Sequence, residues 1–260
     1  MLLILGYHRT EYGRYSNPVP VLRSHFEHVK RNFNVVLPGE PLHPRRLNVC
    51  ITFDDAFVDF YAHVFPLLGE FSIRALLGVS TAFILESTGR SMEDRLSTPE
   101  EHATHWDRLW TKAPFCTWEE LDRMAASGLV QIASHSHRHI DMTHPDANAA
   151  LEAVESKNLL ERRLKCHVST FVYPFGKVNP ASHLVVRRNY DFSMRLGSAL
   201  NFGWSSWKQP LCRVQADNVS DIAKHLRRGR LMLFRLKGFA NLLRAGLGKW
   251  DGVRFPVGAL

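Results

Sequence analysis

The stretch NVCITFDD, residues 48–55, decides how the rest of the chain is read. Its first six residues have the β-branched and aromatic character of a strand. The run ends abruptly in two carboxylates, Asp54 and Asp55. Adjacent residues on a strand point to opposite faces, but at a strand end two side chains can diverge, one toward a metal and one toward a neighbouring water. The apolar sequence upstream argues against two solvated surface acids. A helix N-cap, with the helix starting at Ala56, is the competing use for either residue.

Runs of the same kind recur on both sides. LLILGY (2–7), RALLGVS (74–80), LVQIAS (129–134) and HVSTFVY (167–173) read as strands. Helical patterns separate them. Residues 24–34 form one, with Ser24 as N-cap, and residues 57–69 place Phe57, Phe60, Tyr61, Val64, Phe65 and Leu68 at helical spacing. Thr117-Trp-Glu-Glu120 is a capping-box signature opening a helix to about Ser127, which Gly128 stops. Residues 146–165 read as a long charged helix, and a further helix and strand follow to about residue 196. Strands alternating with helices predict an α/β protein with a mainly parallel sheet. Residues 84–115 have no clear period and are expected to form an insertion loop over one face.

A chain of 260 residues with 45% hydrophobic and 22% charged residues suits a soluble globular protein with one large domain or two small ones. No run approaches the ~18 apolar residues of a membrane helix. The N-terminus lacks the basic region, longer apolar core and cleavage site of a signal peptide. Cys50, Cys116, Cys166 and Cys212 are widely spaced and form no CxxC pair, the pattern of buried reduced thiols. The expectation is a cytoplasmic protein.

The net charge of +8 is unevenly placed. Residues 222–250 carry eight Lys/Arg and no acid. The 33 basic residues less these eight and Arg254 leave 24 in residues 1–221, against 25 acids less Asp251, also 24. The chain therefore divides into a neutral part, 1–221, and a basic, moderately amphipathic extension, 222–260. On a helical wheel the apolar residues of the extension cover a broad side, with Arg230, Lys237 and Arg244 together opposite. Such a helix can make peripheral contact with an anionic membrane through residues 222–250, or pack on the barrel with a solvated basic face. The neutral body argues against nucleic acid.

Three clusters with chemical potential each close a predicted strand, at the edge where parallel α/β sites assemble. Asp54-Asp55 is the first. His135-Ser-His-Arg-His139 is the second: in a helical turn His135 and His139 are i and i+4, share one side, and reach one metal at ~2.0–2.1 Å, while His137 points elsewhere. Tyr173-Pro-Phe-Gly176 is a tight turn that can offer a backbone N–H to an oxyanion. One carboxylate and two imidazoles make an open three-ligand site, and a second carboxylate beside it can take a proton.

With these motifs the sequence resembles the polysaccharide deacetylases, the NodB-like carbohydrate esterase family 4. Thr52–Asp55, His135-Ser136-x-x-His139 and Tyr173–Gly176 match three family motifs in order, over about residues 1–215. Gly6-Tyr7-His8-Arg9 resembles the YH motif of the poly-N-acetylglucosamine deacetylase branch. The resemblance implies a distorted (β/α) barrel, here with a basic C-terminal helical tail, and hydrolysis of an acetamide on an amino sugar. It assigns Asp54 as general base, His8 as general acid, and Asp55, His135 and His139 as ligands of one divalent metal ion, usually Zn2+. The N–H near Phe175 serves the oxyanion, with Tyr173, Pro174, Phe175 and Arg213 around the substrate pocket. Val172 stands where many members carry an arginine, and Arg213 is the candidate replacement beside Asp54; a late leucine-x-histidine motif is missing. Because a cytoplasmic enzyme cannot reach extracellular polymers, the expected substrate is a lipid-linked or nucleotide-linked glycan precursor losing an N-acetyl or other N-acyl group. The rivals are a sugar N-deformylase using the same site and a catalytically inactive glycan-binding protein.

Overall fold

A computed structural model describes residues 1–10, 15–97, 113–205 and 208–246. Seven parallel strands form a closed ring: β1 (Leu2–Tyr7), β2 (Asn48–Phe53), β3 (Ala75–Val79), β4 (Val130–Ser134), β5 (Thr170–Val172), β6 (Phe192–Leu196) and β7 (Leu211–Gln215). Around the ring the order is β1-β7-β6-β5-β4-β3-β2, and β2 returns to β1 in register from Leu2 opposite Asn48 to Tyr7 opposite Phe53. A short strand, Asn34–Val35, adds to β2 from outside. The result is a distorted (β/α) barrel. Its seventh strand lies beyond the alternation legible in the sequence, because Arg213 and Gln215 interrupt the apolar run there.

Strand alternation divides the buried residues between two cores. Leu2, Ile4, Cys50, Leu76, Ala133, Val172, Met194 and Leu211 fill the barrel interior. Their neighbours Leu3, Leu5, Val49, Ile51, Ala75, Leu77, Ile132 and Phe171 pack outward under the helices. Strands buried on both faces tolerate polar residues only where something pairs with them.

The helices are α1 (Val19–Asn32), α2 (Phe65–Phe71), α3 (Met92–Leu96), α4 (Trp118–Ala126), α5 (Ser156–Leu164), α6 (Pro180–Asn189), α7 (Ile222–His225) and α8 (Arg228–Gly246). α1 begins at Val19 rather than after Ser24. Pro20 is tolerated in the first turn, and Leu22, His25, Phe26 and Val29 then share the buried face. The capping box at α4 is present, with Thr117 Oγ1 accepting from Glu120 N at 3.2 Å and Glu120 Oε2 accepting from Thr117 N at 2.7 Å. Wider π turns, Phe60–Val64 and Leu151–Glu155, precede α2 and α5.

Of the expected insertion loop, residues 98–112 lie outside the described residues. Its remainder is tied down by the buried Arg95, whose guanidinium donates to both oxygens of Glu120 at 2.8 and 2.9 Å and to the carbonyls of Ala113 and Phe115. At the other end of the chain, Ile222, Leu226 and Phe234 join the outer core, so α7 and α8 are anchored to the barrel. Residues 247–260 of the basic extension are outside the described residues.

Candidate metal centre

The parity that fills the barrel also builds the site. Counting by twos from interior residues leads to His8 after Leu2 and Ile4, to Asp54 after Cys50 and Thr52, to His135 after Ala133, and to Arg213 and Asp217 after Leu211. All lie at the C-terminal mouth, where side chains that would be filler deeper in the barrel meet one another. Asp55 has the wrong parity. It reaches the same space because it and Ala56 adopt left-handed backbone, φ 74° and 57°, and so break the alternation. Left-handed conformations in non-glycine residues are costly and cluster at functional sites.

Asp55, His135 and His139 come together at the mouth, with one donor atom of each within 4.8 Å of the others. Asp55 Oδ1 lies 3.5 Å from His135 Nε2 and 3.4 Å from His139 Nε2. Tetrahedral bonds of ~2.0–2.1 Å place neighbouring donor atoms ~3.4 Å apart, and the two Asp55–histidine separations match that spacing. Two further observations agree. Asp55 Oδ1 is buried without a hydrogen-bond donor in the protein. His135 donates from Nδ1 to the Val172 carbonyl at 2.8 Å, which fixes the tautomer and leaves the Nε2 lone pair for a metal. Burial pushes both imidazoles down to about 4, so at neutral pH they are neutral and able to ligate a cation.

The histidine segment is not the helical turn expected from its i, i+4 spacing. It is a bent loop with Ser136 and His139 left-handed, at φ 67° and 52°. The two rings meet edge to face at 4.8 Å all the same. The competing interaction is a carboxylate: Glu152, fully buried, accepts from the N–H groups of His137 and Arg138 at 3.0 and 2.8 Å and from Arg138 Nε at 2.9 Å. These N–H groups are thereby held in a carboxylate clamp, which stabilises the bend. Ser136 Oγ accepts from His139 N, and His137 turns aside to Thr81. Sequence reading missed Glu152; only the wide turn before α5 carries it inward, and that turn has no sequence signature.

Asp54 is gripped by the last strand of the barrel. Arg213 donates from Nη1 and Nη2 to its two oxygens, both at 2.7 Å, and from Nη1 to Thr52 Oγ1 at 3.1 Å. Burial alone would raise the Asp54 carboxyl, but Arg213, His135 and His8 outweigh it and hold the group well below the usual carboxylate range. Arg213 therefore stands behind Asp54, almost fully buried, instead of lining a pocket. Opposite Asp54, His8 Nε2 is 3.6 Å from Asp54 Oδ2. The far side of that ring is held by Asp217, which accepts from His8 Nδ1 at 2.7 Å and from His8 N at 2.9 Å. Burial alone would lower the His8 imidazole; Asp217 in contact and the charges of Asp54 and Asp55 raise it to about 9. Asp217 was not singled out in the sequence, although its parity with Leu211 and Arg213 was available once β7 is known.

The Tyr173–Gly176 turn forms as expected but uses its side chains differently. Tyr173 is fully buried in the outer core, its hydroxyl 3.1 Å from His183 Nδ1, and Pro174 is buried, so neither side chain lines an open pocket. Phe175 alone faces the mouth. It is left-handed (φ 57°), 56% exposed, and its ring meets His139 edge-on at 4.7 Å.

Gly78 on β3 packs tightly against the site. A Cβ there would lie 3.3 Å from Asp54 Oδ1 and 3.4 Å from His135 Cβ. The expected outcome of Gly78→Ala is a loss of about tenfold or more in kcat/KM from displaced groups, with the melting temperature little changed. A variant with full activity would show that the site tolerates this shift.

Fold and site together define a (β/α)-barrel protein with a candidate metal centre at the strand C-termini. The sequence profile of polysaccharide deacetylases matches residues 43–192, more than half of the chain, and the chain belongs to that family. The poly-beta-1,6-N-acetyl-D-glucosamine N-deacetylase of Escherichia coli (strain K12) is 27% identical over 192 residues, 62% of this chain. The match covers 26% of that relative, so the chain spans about a quarter of its length. Among solved structures, IcaB from Ammonifex degensii superposes with a TM-score of 0.65 at 22% identity, over 84% of this chain and 93% of that one. The Streptococcus pyogenes deacetylase PplD gives 0.65 at 17% identity, over 90% and 97%. At these identities the structural likeness concerns the fold.

Proposed function

We propose that the chain is a metal-dependent hydrolase that removes an N-acyl group, acetyl in the first instance, from an amino sugar of a glycan precursor. The observation that carries the reading is the convergence at one barrel mouth of the Asp55–His135–His139 cluster, the Arg213-paired Asp54 and the Asp217-backed His8. Asp55, His135 and His139 hold a divalent cation, zinc by the donor set and spacing. When bound, it supplies Lewis acidity to the acyl carbonyl and acidifies a water.

The protein's own groups do the rest. Asp54 takes the proton of the attacking water, and Arg213 holds both of its oxygens in place. The backbone N–H of Phe175 donates to the carbonyl oxygen as it gains charge. His8 delivers a proton from Nε2 to the departing amine, while Asp217 fixes its tautomer and stabilises the imidazolium. The exposed Phe175 ring offers an apolar face to the sugar.

We read the substrate as a sugar carried on a lipid or a nucleotide, at the inner face of a membrane. All four cysteines are free thiols, as in a reducing compartment, and the basic last helices suit an anionic surface.

The test is acetate and formate release from a panel of N-acylated sugars, lipid-linked and nucleotide-linked, by metal-loaded protein. Acetate release by wild type but not by Asp55→Ala supports the reading. Formate release alone would make the protein a deformylase, and no release from any substrate with metal bound would favour a glycan-binding role.

The His8–Asp217 pair sets the alkaline limb. With His8 raised to about 9, kcat/KM stays high until that pH and falls above it as the general acid loses its proton. Asp217→Asn is expected to move this limb down toward the ordinary imidazole value of 6.5. An unmoved limb would remove His8 from the role of acid.

A further inference from the structure

The last helix, α8, uses one narrow face to hold the barrel. Phe234 is buried and its carbonyl accepts from Leu200 N at 3.0 Å. Gly238 packs so closely that a Cβ would fall 2.3 Å from the Leu200 carbonyl oxygen, and Asn241 Nδ2 donates to Cys212 Sγ at 3.4 Å. The chain enters α7 soon after Asp217 at the mouth. It then passes Leu200, whose neighbour Asn201 pairs with Leu2 at the start of β1, so α8 returns down the outside of the barrel.

The apolar residues of this helix are split between two faces, where the sequence suggested a single broad side. At 100° per residue a strip runs through Met232, Leu236, Phe239 and Leu243, widened by Leu233 and Leu242, on the side away from the barrel. All six are exposed, Leu243 by 71% and Leu236 by 58%. Phe202 meets Phe239 with its ring tilted by 49° at 4.5 Å between centroids and continues the strip onto the barrel. The cations border the central strip of Met232, Leu236, Phe239 and Leu243: Arg228 and Arg235 on one edge, between it and Leu242, and Arg230, Lys237 and Arg244 on the other, beyond Leu233, all exposed. Residues 222–250 contain no acid to oppose them.

An outward apolar strip of this extent marks a contact surface. A second copy would bring the same cationic borders together with no carboxylate in the segment to separate them, which disfavours self-association. No helix among the described residues is long and apolar enough to cross a membrane. We infer that α8 lies in the plane of an anionic bilayer, with its leucine, methionine and phenylalanine side chains in the acyl boundary and its border cations at the phosphates. Contact through this outer face leaves the mouth of the barrel uncovered. Docking stands on packing and charge and is independent of the deacylation chemistry.

The test is co-sedimentation of the full chain with vesicles of phosphatidylcholine alone and of phosphatidylcholine mixed with phosphatidylglycerol. Binding to the mixed vesicles is expected to be at least about tenfold tighter, and to weaken with salt. Leu236→Glu/Leu243→Glu should lose at least about tenfold in binding to mixed vesicles, and Arg235→Glu/Lys237→Glu should lose the preference for anionic lipid. Neither pair of side chains packs in the core or at the metal centre, so melting temperature and turnover of a water-soluble substrate should hold. Failure of the wild type to bind either vesicle, or equal binding by wild type and both variants, overturns the inference. A dimer in light scattering that Leu236→Glu/Leu243→Glu dissolves would assign the face to a second copy instead. Loss of turnover with vesicle binding intact would count against the reaction and not against docking.

Discussion

Asp54→Asn is expected to lower kcat by ~10²–10⁴-fold while metal content stays at that of the wild type. The substitution keeps the shape of the side chain and its reach to Arg213, but an amide cannot take a proton from water. Because Asp54 is not one of the clustered donor atoms, the cation should remain. The same change also strands the buried Arg213, and breaking a buried ion pair costs about 3–5 kcal/mol, so activity is to be measured well below the variant's lowered melting point. The pH dependence has a fixed sign. The Asp54 carboxyl is held below its ordinary value in the folded protein, so its contribution to stability is complete above that value and is lost as the pH falls below it. Asp54→Asn should therefore flatten the acid side of the stability curve. Activity within a few fold of wild type, with metal measured by atomic absorption, would remove Asp54 as the base.

Asp55→Ala should abolish both metal retention and turnover, a second effect of several orders of magnitude. Asp55 brings the only carboxylate to the cluster, and its Oδ1 sits between the two Nε2 atoms at 3.4 and 3.5 Å. In the wild type, a bound cation adds to stability by mass action, so zinc should raise the melting temperature of the metal-free protein and a chelator should lower it again. In Asp55→Ala both shifts should vanish, while the metal-free proteins melt close together. The burial that raises the Asp55 carboxyl in the absence of a cation makes an unfilled site costly, so the variant should be no less stable than the metal-free wild type. A zinc-induced shift of equal size in both proteins would place the metal elsewhere.

Much of the site was legible because strands announce their ends. TFDD, His135 and the Tyr173 turn each follow an apolar run, and alternation fixes which residue faces the barrel axis. Asp55 and the bent histidine loop were not legible in detail. Their backbones are left-handed without glycine, a conformation the sequence does not mark, and the bend depends on Glu152 from a distant segment. Arg213 was found only as a candidate near Asp54, and Asp217 not at all. Both lie on or beyond β7, the strand whose polar residues hide it. The tail was half legible: its charge is plain in composition, but a helical wheel cannot tell which apolar residues a barrel will cover. Gly238 and Phe234 decide that.

The pairing of Asp54 with Arg213 spans 159 residues of chain, and that of His8 with Asp217 spans 209. During synthesis the metal cluster is already encoded by the time His139 leaves the ribosome, long before either pairing can form. A chain ending short of β7 would lack the partners that hold Asp54 and His8, so both acid–base groups wait on the strand that closes the ring.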